Sequence, residues 1–126
     1  MHRSRLFGVL IDTPAGEADA AVSFWATALG GRSRPAPGEP EFTGITGAVP
    51  GVAVVVQSVD DAARYHMDIE TDDVEAETAR LIRAGASVVT DNGGHKILRA
   101  PGGHLLCVVP VQSSEHLFAT DSKVWP

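Results

Sequence analysis

The chain has 126 residues, 44% of them apolar, and its 16 acidic and 10 basic side chains give a formal net charge of −6. This length corresponds to one ordinary domain, long enough to bury a core without metal or disulfide cross-links. The acidic balance argues against nucleic acid and anionic membranes as partners, because clustered cations bind polyanions. Cys107 is the single cysteine, which excludes an intrachain disulfide and makes the reducing cytoplasm the expected setting. The apolar run at residues 6–11 is too short for a signal peptide core or a membrane-spanning helix.

The first half of the chain predicts a strand over residues 6–13, then a helix, then several extended segments. Four apolar side chains recur every three or four residues, as along one helical face: Ala18, Val22, Trp25 and Leu29. Gly30 is placed to end this helix in a left-handed conformation. We expect Phe24 and Trp25 in the core. Residues 34–40 indicate an exposed proline-rich loop, and residues 52–59 a buried strand.

The second half repeats this order. A strand is expected at residues 64–71, followed by a helix that Asp72 and Glu75 begin with a capping box and that Gly85 ends. Asp91–Gly94 has the composition of a hairpin turn between two strands. The last strand is expected at residues 104–111.

The two halves therefore predict an α+β fold of two βαβββ modules, at about residues 5–60 and 64–111 of a domain that spans residues 1–112. We expect the tail, residues 113–126, to pack on this domain through Phe118 and Trp125.

Four segments in a fixed order carry a family resemblance: SFWATALG at residues 23–30, HMDIETDDV at 66–74, LIRAGA at 81–86 and RAPGGHLLCVVP at 99–110. They resemble segments of the vicinal oxygen chelate superfamily, the glyoxalase and bleomycin-resistance group. Ala100 departs from that pattern, which usually has Asp before the proline. The resemblance implies a cupped mixed sheet with the helices outside. It also implies a homodimer.

The resemblance further implies where a metal ion would bind. In the metal-dependent members, four inward side chains hold one divalent ion, which stabilises negative charge on the substrate oxygens. The corresponding positions fall on or near Gly8, Gln57, His66 and Cys107. Glycine offers no ligand, glutamine offers a weak neutral oxygen, and both carboxylates are missing. We therefore expect no metal ligands and no cofactor, and the sequence identifies no catalytic residue.

The residues expected to bind a ligand in the cup are Gln57, His66, Asp68, Cys107 and Phe42. Strand alternation places His66 and Asp68 on the cup side and Met67 and Ile69 towards the helix. His66 is then either a hydrogen-bonded core histidine, or a ligand-binding or proton-transferring group whose pKa is set by Asp68 or Glu70.

Two other features have ordinary structural interpretations. Cys107 lies in an apolar strand and fits packing, whereas a nucleophilic role would need a facing His66 to form the thiolate. Asp12 and Glu70 end the two opening strands, where the next helix attracts carboxylates through its dipole.

The first functional hypothesis is a metal-independent, glyoxalase-like protein of a bacterial cytoplasm that binds a small molecule in the cup. By the resemblance this ligand is a bleomycin-like drug or a metabolite, and the acidic chain favours one with some cationic character. The alternative is a metal-dependent lyase, isomerase or dioxygenase with a non-standard site, for which His95 is a candidate extra ligand. A third is a structural or regulatory dimer without a ligand.

Overall fold

The computed structural model describes residues 1–126. Its twelve regular elements are, in chain order, β1 (His2–Pro14), α1 (Ala18–Leu29), β2 (Arg32–Ala36), β3 (Glu39–Thr46), β4 (Ala53–Val59), β5 (Arg64–Thr71), α2 (Val74–Arg83), β6 (Ser87–Asp91), β7 (Lys96–Arg99), β8 (Leu105–Pro110), α3 (Glu115–Asp121) and β9 (Lys123–Trp125). They form two compact units. The N-terminal unit is Gly8–His66, and the C-terminal unit combines Met1–Phe7 with Met67–Pro126.

The N-terminal unit is a mixed sheet covered by one helix. Its strand order is β2–β3–β4–β1, with β1 parallel to β4 and the other pairs antiparallel. A parallel pair needs a long connection, which α1, β2 and β3 provide. The buried core consists of Ile11, Ile45, Val54 and Val56, and the α1 side chains packed against it are Ala21, Val22, Trp25 and Ala26.

Helix α1 ends where its sequence indicates, because Gly30 adopts the left-handed conformation with φ of 67°. Trp25 is partly buried against the core, as expected. The expectation for Phe24 is wrong, since 61% of it is exposed. Adjacent residues project about 100° apart around a helix, so Phe24 points away when Trp25 faces the sheet.

The C-terminal unit has the same plan, with the strand order β5–β8–β7–β6 and with β5 parallel to β8. The turn expected at Asp91–Gly94 joins β6 to β7. The α2 cap lies one residue later than the sequence indicated. Asp73 accepts the hydrogen bond from the Ala76 backbone N–H at 3.0 Å, whereas the Asp72 carboxylate accepts one from the Arg3 N–H at 2.8 Å.

The C-terminal tail adds two elements to this unit. Strand β9 pairs antiparallel with the start of β1, with Trp125 opposite His2. Helix α3 is capped by the Ser114 hydroxyl, which accepts from the Leu117 N–H at 3.1 Å, and it buries Phe118.

The order βαβββ occurs in each unit, which confirms the α+β fold class and the two-module plan. No helix combines the length and apolar character needed to cross a bilayer.

Candidate functional site

Three strands of the N-terminal unit place Phe42, Gln57 and Asp12 in one row. Phe42 pairs with Gln57 between β3 and β4, and Gln57 pairs with Asp12 between β4 and β1. Directly paired residues project to the same side of a sheet, and their neighbours along each strand project to the other side. Ile11 and Val56 point into the core below α1, so the row lies on the opposite face, named here the open sheet face.

Asp12 is the centre of a hydrogen-bonded group on this face. Its side chain is 2% exposed, and its Oδ2 lies 2.9 Å from His66 Nδ1. The same oxygen accepts a hydrogen bond from Arg64 Nε at 3.1 Å. Arg64 also donates to Asp61 at 2.7 Å, and that bond, reinforced by Asp12, raises the pKa of the guanidinium. Asp12 is therefore a partner of His66 that sequence reasoning, which named Asp68 and Glu70, did not identify.

Sequence reasoning assigned Asp12 to a helix dipole and so missed its role. The signal for that role is not local, because Arg64 and His66 lie 52 and 54 residues further along the chain. Gln57 and Phe42, by contrast, were predicted site residues, and the structure brings both into the row with Asp12.

The Asp12 Oδ1 is a buried oxygen without a hydrogen-bond partner. Glu70 lies at the corresponding end of β5 and is fully buried. Unlike Asp12, it has hydrogen-bond donors on both of its carboxylate oxygens. It accepts from Arg5 at 2.6 Å, from the backbone N–H groups of Gln112 and Ser113 and from the Ser113 hydroxyl. Burial alone would raise the pKa of Glu70, but these hydrogen bonds outweigh it and lower the pKa. Buried acceptors are rarely left unpaired, so the Asp12 Oδ1 is an unused acceptor for a hydrogen-bond donor.

The remaining predicted residues, Asp68 and Cys107, lie in the C-terminal unit. They are register partners between β5 and β8, and a carboxylate oxygen lies within 4.8 Å of the Cys107 Sγ. Both side chains are half-buried, and their donor types are ones that zinc accepts. The corresponding pair in the N-terminal unit is Leu10 and Val55, which offers no ligand.

The four-ligand metal set implied by the resemblance is not present. A Cβ at Gly8 would lie 2.6 Å from the Ala53 carbonyl oxygen and 2.9 Å from the Ala53 Cβ, so no ligating side chain fits there. The family resemblance assigns the positions of the two carboxylates to Gln57 and Cys107, neither of which is a carboxylate. His95, the candidate extra ligand, lies exposed in the turn before β7, with its Nε2 2.9 Å from the Asn92 side-chain nitrogen. These residues do not fit a hard divalent ion such as magnesium, which prefers oxygen ligands.

Comparison with known proteins gives one family match and several structural neighbours. A family model described as glyoxalase-like domain matches residues 8–109. No curated protein matches the sequence. A hypothetical protein from Bacillus halodurans superposes with a TM-score of 0.61 at 9% identity, covering 88% of this chain and 96% of its own.

Two further structural neighbours belong to named groups of proteins. A glyoxalase/bleomycin resistance protein/dioxygenase superfamily member from Vibrio splendidus has a TM-score of 0.55 at 16% identity and covers 86% of this chain and 99% of its own. A methylmalonyl-CoA epimerase from Streptomyces coelicolor has a TM-score of 0.55 at 18% identity and covers 86% and 98%. Likeness at these identities shows a shared fold, and chemistry has to be argued from the site.

Proposed function

Because the chain belongs to the family of glyoxalase-like domains, as its four sequence segments indicated, we propose that it binds a small organic molecule on the open sheet face. The observation that carries this proposal is the buried Asp12 Oδ1 without a partner. An unpaired buried acceptor costs about 1–3 kcal/mol, and a ligand N–H or O–H beside it removes that cost. Gln57 supplies an amide donor and acceptor in the same row, and Phe42 supplies an apolar surface.

We further propose that this binding does not require a metal ion. The support is steric, since the backbone of β4 at Ala53 occupies the space that a side chain on residue 8 would need. It is also chemical, since a neutral amide and a thiol replace the two carboxylates that a hard cation prefers.

A second candidate function is an enzyme that moves a proton, and the contact between His66 and Asp12 favours it. A histidine oriented by a buried carboxylate is the usual arrangement of a general base. In this alternative His66 removes or returns a proton on a ligand held by Gln57, as a lyase or isomerase requires. Turnover of a ligand found by binding would separate this function from simple binding.

The metal question has a direct test. Tag-free protein is incubated with zinc, nickel, manganese and magnesium, desalted and analysed by elemental mass spectrometry. We expect only traces in the wild type and in His66→Ala. About one equivalent per chain that is lost in His66→Ala, and retained in the control His104→Ala with its exposed histidine, would overturn metal independence and support the metal-dependent alternative.

The ligand question is tested by a thermal-shift screen of small neutral amides and alcohols, because stabilisation reports binding to the folded state. Compounds that donate a hydrogen bond should raise the melting temperature. Asp12→Asn should weaken their binding about tenfold, as expected when a buried hydrogen bond to a charged group is lost, and Gln57→Ala about fivefold, as expected for a neutral hydrogen bond. Asp19→Asn, an exposed carboxylate on α1, is the control. Equal binding by Asp12→Asn and wild type would contradict the proposal.

A further inference from the structure

A cleft of about 430 Å³ opens on the N-terminal unit beside α1. Phe24 and Trp25 of α1 and Tyr65 of β5 line it. This volume lies within the range of small-molecule sites. The cleft shares Asp12 and Arg64 with the hydrogen-bonded group described above, but Phe42 and Gln57 do not line it, so its aromatic wall is a separate feature.

The three aromatic rings form a connected, exposed group. Phe24 and Trp25 meet edge to face with centroids 5.1 Å apart, and Trp25 and Tyr65 meet the same way at 6.5 Å. Nevertheless Phe24 is 61% and Tyr65 is 64% exposed. The faces of aromatic rings carry partial negative charge and attract cations, so this group offers a surface to a positively charged organic ligand.

The charged side chains of the cleft favour the same class of ligand. Asp12 and Glu17 line it, and Arg64 is its single basic residue. The Arg64 guanidinium is already bonded to Asp12 and to Asp61, whose carboxylate compensates its charge. The cleft therefore has an excess of negative charge, which attracts cations and repels anions.

We propose that this cleft is a second binding site, specific for a small organic cation that carries a flat apolar group, such as an arylalkyl ammonium. The apolar group packs against Phe24 and Tyr65, and the ammonium lies near the exposed carboxylate of Glu17. This site goes beyond the function proposed for the open sheet face and does not depend on it.

The experiment is titration calorimetry of the full chain with phenethylammonium and with its neutral counterpart, phenethyl alcohol. We expect the cation to bind at least about fivefold more tightly than the alcohol, the size of a cation–π contribution at a partly exposed site. Phe24→Ala and Tyr65→Ala should each weaken the cation by about fivefold. Both side chains are mostly exposed, so the variants should fold. The control is Val89→Ala, which alters a 46% exposed apolar residue on β6.

Three results would overturn the proposal. The first is equal affinity for the cation and the alcohol. The second is cation binding that survives Tyr65→Ala but is lost in Gln57→Ala, which would assign the cation to the open sheet face. The third is that the protein does not bind the cation and forms a dimer, seen by light scattering, that Tyr65→Ala dissociates. The aromatic group would then be a contact between two copies of the chain. Gln57 does not line the cleft, so the binding of neutral ligands by Gln57→Ala tests the open sheet face alone, and the two proposals fail separately.

Discussion

At the scale of single residues, Gly8 is the clearest steric constraint in the N-terminal unit. A Cβ there would meet the Ala53 carbonyl oxygen at 2.6 Å, and that oxygen belongs to a strand fixed by its register with β1. We predict that Gly8→Ala lowers the free energy of unfolding by about 2 kcal/mol, within the usual cost of overpacking, as measured by urea denaturation. Gly44→Ala is the matched control on β3, because its Cβ would meet the Arg34 oxygen at an ordinary 3.6 Å. Equal stability of the two variants would contradict the steric argument.

Sequence reasoning at this scale is limited to what one strand or a family resemblance can show. The resemblance pointed to Gln57, and strand alternation placed His66 on the cup side; in the structure Gln57 is in register with Asp12 and His66 is in contact with it. Asp12 itself was misread because its donors come from β5, and only the fold brings that strand to it. Phe24 was misassigned because an apolar residue next to a core position can lie on either side of the helix stripe.

At the scale of elements, the tail strand β9 is held mainly by Trp125. Its Nε1 donates to the Ser4 hydroxyl at 2.8 Å, and the Arg80 guanidinium lies 3.8 Å from the centre of its ring. We predict that Trp125→Ala lowers the free energy of unfolding by about 2–3 kcal/mol, through lost packing and a lost hydrogen bond. Trp125→Phe should cost only about 1 kcal/mol, because the stacking remains. Val124→Ala, at a 49% exposed position of the same strand, is the control and should change stability by less than about 0.5 kcal/mol.

The elements that the sequence predicts well are those with local signals. Gly30, with φ of 67°, and Gly85, with φ of 118°, follow α1 and α2 at positive φ, where glycine is favoured. The Asp91–Gly94 segment forms the expected hairpin. Strand β9 has three residues, too few to show a period, and its partner is the start of β1 at the other end of the chain. A strand whose pairing depends on such distant residues has no local signature.

At the scale of the whole molecule, buried carboxylates determine how the fold responds to acid. Burial alone would raise the pKa of Glu77, but hydrogen bonds from Arg80, His2 and Ser4 outweigh it and lower the pKa from 4.5 to about 2. The pKa of Glu70 is also lowered. A carboxylate with a lowered folded-state pKa contributes stability that is complete above the unfolded-state pKa and is lost as the pH falls through the folded value. Both residues lie in the C-terminal unit, so the loss of stability in acid should begin in that unit.

We therefore predict that stability declines between about pH 4.5 and pH 2, with about 3 kcal/mol of the loss due to Glu77, as its pKa shift implies. Urea denaturation across this range measures it. Glu77→Gln should be less stable than wild type at pH 7 and should show a flatter decline in acid, because the titrating group is gone. Glu75→Gln is the control on the same helix, since the Glu75 side chain is 76% exposed and its ion pair with Lys96 contributes little. If Glu77→Gln keeps the wild-type slope, the acid response comes from other carboxylates, and the Glu77 network is not what stabilises the C-terminal unit.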